Sequence, residues 1–193
     1  MRPTGPRTRR QQALLAELEE LFLAEGFVSF TLDDLAAKLR CSKTTLYALA
    51  PSKEQLATTV VAHYFKGAAA RIEARVAGID DAASAVRTYL AGVSGELDRA
   101  SAAFLADVAE FEPASAVYAF NSEAAARRIR QFIAHGVAQG AFRDAHADAI
   151  AEMAGILVEA IQSGAVGARA RTSDAEAFEA LAELLLGGLQ RDA

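Results

Sequence analysis

Apolar side chains recur along this chain at spacings of three and four, the period of helices that each bury one face. Leu14, Leu15, Leu18, Leu21 and Phe22 form the first such face. Gly26 follows, where a helix commonly ends in a left-handed residue. Phe27 and Phe30 come next as apolar anchors, and Leu32, Leu35, Ala36 and Leu39 predict a short second helix. That helix opens on Thr31-Leu32-Asp33-Asp34. Here the Thr31 hydroxyl accepts from the third helical N–H while Asp34 reaches back to the cap, a capping box. The pattern breaks at Leu39-Arg40-Cys41-Ser42. Ser42 is the next N-cap, and Lys43-Thr44-Thr45-Leu46-Tyr47 opens a third helix. Pro51-Ser52-Lys53-Glu54-Gln55 stops it and starts a fourth, with Ser52 and Gln55 at capping-box spacing.

The rest of the chain continues in the same period. Leu56, Val60, Val61, Tyr64 and Phe65 carry the fourth helix. Gly78 and Asp80-Asp81 mark a break and restart, after which Val86, Tyr89, Leu90, Val93 and Leu97 form a face. Phe104, Leu105, Val108 and Phe111 follow, ending near Pro113. A longer helix runs through Phe120, Ile129, Phe132, Ile133 and Val137 to about Gly140. Asp144 is expected to cap a helix carrying Ile150, Met153, Leu157, Val158 and Ile161. Ser173-Asp174-Ala175-Glu176 reads as a further capping box, opening the last helix with Phe178, Leu181, Leu184, Leu185 and Leu189. The Ala/Gly-rich stretch 163–171 is expected to be a loop. The fold class is therefore all-α. The last two long helices are apolar over broad faces, and a two-fold homodimer through them is the expected way to cover the surplus.

Composition narrows the class. Apolar residues make up 52% of the chain, and only four prolines occur. No apolar run reaches the roughly 18–20 residues that span a bilayer, so no membrane association is expected. The first residues are basic with no apolar stretch behind them, unlike a secretory signal. The single cysteine, Cys41, forms no internal disulfide and reads as a small core residue. A cytoplasmic protein is expected. The net charge of −5 is unevenly spread: residues 1–53 hold eight Lys/Arg against six Asp/Glu, and the remainder twelve against nineteen. Arg2, Arg7, Arg9 and Arg10 all precede the first acid, Glu17. A basic arm on an acidic body fits a protein that meets phosphate at one end only.

Two short helices separated by three or four residues have helix-turn-helix spacing. In that motif the second helix lies in the major groove with its N-terminal residues at the base edges. Here these are Lys43, Thr44 and Thr45, all polar and none acidic. Double-stranded DNA is thus the expected partner, with the free N–H groups of the helix start favourable beside phosphate. No catalytic constellation or cofactor motif occurs. His63, His135 and His146 are scattered without metal-ligand spacing, so neither an enzyme nor a metal site is expected. Gly136 and Gly140 spell a GxxxG outside any apolar span and read as helix-end glycines.

The residues Phe30-Thr31-Leu32-Asp33-Asp34-Leu35-Ala36, Ser42-Lys43-Thr44-Thr45-Leu46-Tyr47 and Ser52-Lys53-Glu54-Gln55-Leu56, with Phe22-Leu23-Ala24-Glu25-Gly26-Phe27 before them, resemble the tetracycline-repressor (TetR) family over about residues 10–60. The resemblance implies an N-terminal DNA-binding domain, residues 1–55, and a C-terminal effector-binding and dimerisation domain, residues 56–193. It implies a homodimeric repressor that a small molecule releases from its operator. It also implies that Thr31, Tyr47 and Lys53 meet phosphates, while Lys43, Thr44 and Thr45 face bases or nearby backbone. With Ser42 and the arm residues Arg9 and Arg10, these make up the expected DNA-binding set. The effector is expected among Phe104, Asp107, Phe111, Tyr118 and Glu159, with Glu110, Phe120, Phe132 and Phe142 as further candidates. Three departures stand out. Arg40 replaces the family's usual turn glycine, Ala48-Leu49-Ala50 replaces the usual aromatic continuation after Leu-Tyr, and Cys41 replaces an aliphatic residue. They sustain an alternative: a helical small-molecule-binding protein of the same fold with weakened DNA binding.

Overall fold

The computed structural model describes residues 8–144 and 146–189. Arg2 and Arg7 lie outside the described residues. Within them the chain forms α1 (Arg9–Glu25), α2 (Leu32–Lys38), α3 (Lys43–Tyr47), α4 (Lys53–Val76), α5 (Ala82–Leu97), α6 (Ala102–Glu110), α7 (Glu112–Ala138), α8 (Ala147–Gln162), α9 (Ala165–Ala170) and α10 (Asp174–Leu189). The all-α expectation holds. The expected caps at Thr31, Ser42, Ser52 and Ser173 each accept the N–H three residues on.

Two boundaries differ from the sequence expectation. The stretch 163–171 is not simply a loop. Its alanines form α9, held between left-handed Gly164 (φ 71°) and Arg171 (φ 57°), because alanine's helix propensity prevails over the flanking glycines. Asp144 does not cap α8: its carbonyl takes the Ala147 N–H, and the N-cap position is His146, itself left-handed with no side-chain cap bond. Helix α6 ends at Glu110, near Pro113 as expected, and Pro113 itself sits in the first turn of α7, where its missing N–H costs nothing.

The chain divides into two compact units. The first comprises Met1–Lys66 and Ala100–Val117, and the second Gly67–Arg99 and Tyr118–Ala193. The sequence places a boundary at 55/56. By compactness the division falls within α4, and α6 belongs to the first unit. The reason is visible in the first unit's core. Phe22 stacks on Phe27 at 5.4 Å between ring centroids, and Phe104 of α6 meets the rings of Phe27 and Tyr64 edge-on at 6.1 and 5.6 Å. Leu15, Leu18, Leu35, Leu46 and Leu56 complete this buried set.

The turn between α2 and α3 is a Schellman motif. Cys41 N–H donates to the Ala36 carbonyl and Arg40 N–H to that of Ala37, with Arg40 left-handed at φ 49°. The departure at Arg40 therefore leaves the turn conformation intact and adds strain. Arg40→Gly is expected to stabilise the protein by about 1 kcal/mol, read from thermal denaturation.

In the second unit α10 packs on α5 and α8. Tyr89 meets Phe132 at 5.5 Å, and the Arg128 guanidinium lies 4.3 Å over the Phe132 ring while pairing with both oxygens of Glu73. Glu96 is buried yet charged. Arg71 holds both its oxygens at 2.7 Å and Arg99 adds a bond of 2.8 Å. The Arg71 bonds, foremost, keep its carboxyl below the usual glutamate range in spite of burial. The stability this supplies is complete above the ordinary glutamate value of about 4.3 and is lost as pH falls through the lowered one. Glu96→Gln is accordingly expected to lower the melting temperature at neutral pH, with the gap to wild type closing in acid. Met153 and Ile156 on α8 and Leu184 on α10 remain more than half exposed.

Candidate nucleic-acid interface

The interface is assembled from α1, α2, α3 and the start of α4, all in the first unit. Helix α3 has only five residues, and Ser42 organises its start. The Ser42 hydroxyl accepts the Thr45 N–H at 3.2 Å and shares a hydrogen bond of 2.9 Å with the Thr45 hydroxyl. Leu46 is fully buried and pins the helix, leaving Lys43, Thr44 and Tyr47 exposed at i, i+1 and i+4. Thr31 is exposed at the start of α2. Its hydroxyl donates to Asp34 at 2.6 Å, and that bond, first among several, keeps the Asp34 carboxyl below its usual range.

The cations are not equivalent. Lys43 pairs with Asp33 at 2.9 Å, and this hydrogen bond raises the lysine's pKa. The start of α3 therefore carries a neutralised charge. Lys53, in the first turn of α4, donates to the Val28 carbonyl at 2.7 Å, which uses one of three ammonium protons. Arg9 and Arg10 are exposed at the start of α1. Arg10 borders a groove of about 310 Å³ together with Thr8, Gln11, Leu14, Thr44, Thr45 and Ala48, so the described part of the basic arm opens beside α3.

Two residues were missed in the sequence. Thr8 caps α1, and Gln11 completes a capping box with it. The Gln11 amide also donates to the Ala48 carbonyl at 3.2 Å, tying the start of α1 to the end of α3. Thr8-Gln-spaced-by-three is itself a capping-box signature, and it precedes the first apolar face. Cys41 is half-buried. Burial, aided by Glu17 and opposed by Arg10, pushes its thiol upward, away from thiolate chemistry.

The five expected effector residues divide between the two units: Phe104, Asp107 and Phe111 fall in the first, Tyr118 and Glu159 in the second. Phe104 is core of the first unit, and Phe111 meets Phe27 edge-on at 5.8 Å in the same unit. The Asp107 carboxylate there accepts backbone N–H groups from Phe27 and Val28. In the second unit Glu159 is exposed on α8. Burial, foremost, raises the Asp174 carboxyl, and the influence of Tyr118 opposes that shift. A separate cavity of about 210 Å³ in the second unit is bordered by Glu73, Tyr89, Asn121, Arg127, Arg128 and Gln131.

Residues 14–60 match the family model of bacterial regulatory proteins of the tetR family. The family likeness in sequence thus rests on this N-terminal module. An uncharacterised HTH-type transcriptional regulator of Bacillus subtilis (strain 168), YvaF, is 51% identical over 51 residues. That stretch spans 26% of each protein, so the likeness reaches about a quarter of the relative's length. Among solved structures, a transcriptional regulator from Cytophaga hutchinsonii aligns with a TM-score of 0.73 at 16% identity, covering 95% of this chain and 100% of that one. A TetR transcription regulator from Haloarcula marismortui aligns at 0.72 and 16% identity, covering 94% and 98%. At these identities the likeness is one of fold, and it extends over nearly the whole chain. Among the described residues no helix is long and apolar enough to cross a membrane.

Proposed function

We propose that this tetR-family chain is a cytoplasmic transcriptional repressor that binds operator DNA as a homodimer and is released by a small molecule. The observation that carries the reading is the α2–α3 pair. Its exposed, polar helix start lies beside the Arg10 groove, which suits a major-groove element flanked by phosphate contacts. The exposed Met153, Ile156 and Leu184 support pairing through α8 and α10. We place the effector in the second unit, on the cavity by Tyr89 and Arg128. Binding to genomic DNA at two salt concentrations tests the function: a specific footprint with a steep salt slope is expected. Sedimentation showing a monomer at micromolar concentration would refute the dimer.

Within this reading Lys53 and Thr44 separate by role. Lys53→Ala is expected to weaken binding to every sequence by about tenfold and to lower the salt slope by about one. Thr44→Ala is expected to cost about 1 kcal/mol and to relax preference at one position of the site. Operator affinity unchanged in both variants would show that the recognition surface lies elsewhere. The Lys43–Asp33 pair favours the second reading, a ligand-binding protein with weakened DNA contact. Binding that is weak and indifferent to sequence would decide for it.

A further inference from the structure

Helix α6 reaches the interface through one carboxylate. Asp107 Oδ2 accepts the N–H of Phe27 and, at 2.8 Å, that of Val28. The Val28 carbonyl in turn accepts the Lys53 ammonium at 2.7 Å. Val28 is thus held on both sides, its N–H by an anion of α6 and its carbonyl by a cation of α4. The turn is shaped around this carboxylate. Gly26 has φ 76° and ψ −171°, a conformation open essentially to glycine, and a Cβ there would lie 2.6 Å from Asp107 Oδ2 and 3.3 Å from the Ala103 carbonyl. A further bond, Ser101 N–H to the Leu23 carbonyl at 2.8 Å, fastens the start of α6 to the end of α1.

Lysine carries its charge on a flexible stem and loses rotamer freedom when it binds. A carbonyl held in place restrains the ammonium beforehand and lowers that cost. We propose that Asp107 is a positioning residue for DNA binding: by fixing the Val28 backbone it holds the carbonyl that presents Lys53 to a phosphate. The inference rests on the reading of Lys53 as a phosphate contact. It makes a prediction of unusual sign. Asp107 is an acid, so removing its charge on electrostatic grounds alone strengthens attraction to DNA. Positioning demands the reverse.

The test uses the full chain and a duplex that the wild-type protein recovers from a random-sequence pool. Affinity is measured across a salt series for Asp107→Asn, Lys53→Ala and the double variant. Asp107→Asn is expected to weaken binding by about fivefold and to lower the salt slope by up to about one. In the Lys53→Ala background it should cause less than about a twofold further loss, the non-additivity of two residues acting through one contact. Loss of folded protein reduces the active concentration and leaves the slope unchanged, so the slope separates positioning from instability. Asp107→Asn binding as tightly as wild type, or more tightly, overturns the proposal. So do losses that simply add, in which case Lys53 remains a phosphate contact. If Lys53→Ala changes neither affinity nor slope, the reading of Lys53 fails and the Asp107 proposal falls with it. Amide exchange in the wild-type protein gives an independent check. The Val28 N–H is expected to be protected before DNA is added, and protection that appears only with the duplex overturns the proposal.

Discussion

Phe104→Ala is expected to destabilise the protein by about 4 kcal/mol, the range for emptying a fully buried aromatic site. Phe104 is 1% exposed and meets the rings of Phe27 and Tyr64. Its removal leaves a void that two further aromatic residues line, and neither collapses into it without leaving its own partners. Denaturant titration gives the measurement. The size of the loss also decides between two roles. A phenyl ring that borders an effector cavity has space on one side and loses fewer packing contacts when truncated, so a loss under about 2 kcal/mol would return Phe104 to the effector site. A loss near the larger value makes it the residue that fastens α6 into the first unit.

Gly136→Ala is expected to cost about 3 kcal/mol, although alanine is the better helix former by about 1 kcal/mol. A Cβ at Gly136 would sit 2.2 Å from Cδ2 of Phe142, 2.5 Å from Cε2 and 2.9 Å from the Ala82 Cβ. Phe142 is 2% exposed, so its ring has no free side to move toward. Steric overlap therefore exceeds the gain in propensity. Truncating the ring should remove most of the penalty: Gly136→Ala and Phe142→Ala together are expected to cost less than the sum of the two single changes, which thermal melts of the three variants would show. Gly140 differs. It is left-handed at φ 72° with open space around it, and it ends α7 as a helix-end glycine should. The two glycines of one GxxxG thus have different physical reasons, and only the second was legible in the sequence.

The interface shows the same division at the level of single residues. Thr31, Ser42 and Ser52 were legible as caps because the bond each makes spans three residues, a distance that sequence spacing encodes directly. Leu35 was legible as core because helical period places it opposite the exposed positions. Lys43 was legible as exposed and basic, but its pairing with Asp33 was not, because the partner sits on another helix ten residues away. The Gln11–Ala48 bond and the grip of Asp107 on Val28 join residues 37 and 79 positions apart, and no local pattern reports them. The division of the expected effector set between the two units was not legible either. Aromatic residues at helical spacing mark a buried face without saying what the face is buried against, and for Phe104 and Phe111 it is Phe27.

Sequence by itself determined the all-α class, most of the helices, the caps at Thr31, Ser42, Ser52 and Ser173, the helix-turn-helix and the charge asymmetry. These follow from hydrophobic period and from hydrogen bonds closed within one turn, both short-range properties of the chain. Tertiary structure decided that α6 belongs with the helix-turn-helix unit, that Lys43 at the start of α3 pairs with Asp33, and that a carboxylate from residue 107 holds the turn beside Lys53. Those facts depend on which buried faces meet, and that choice is made by the packing of the whole unit.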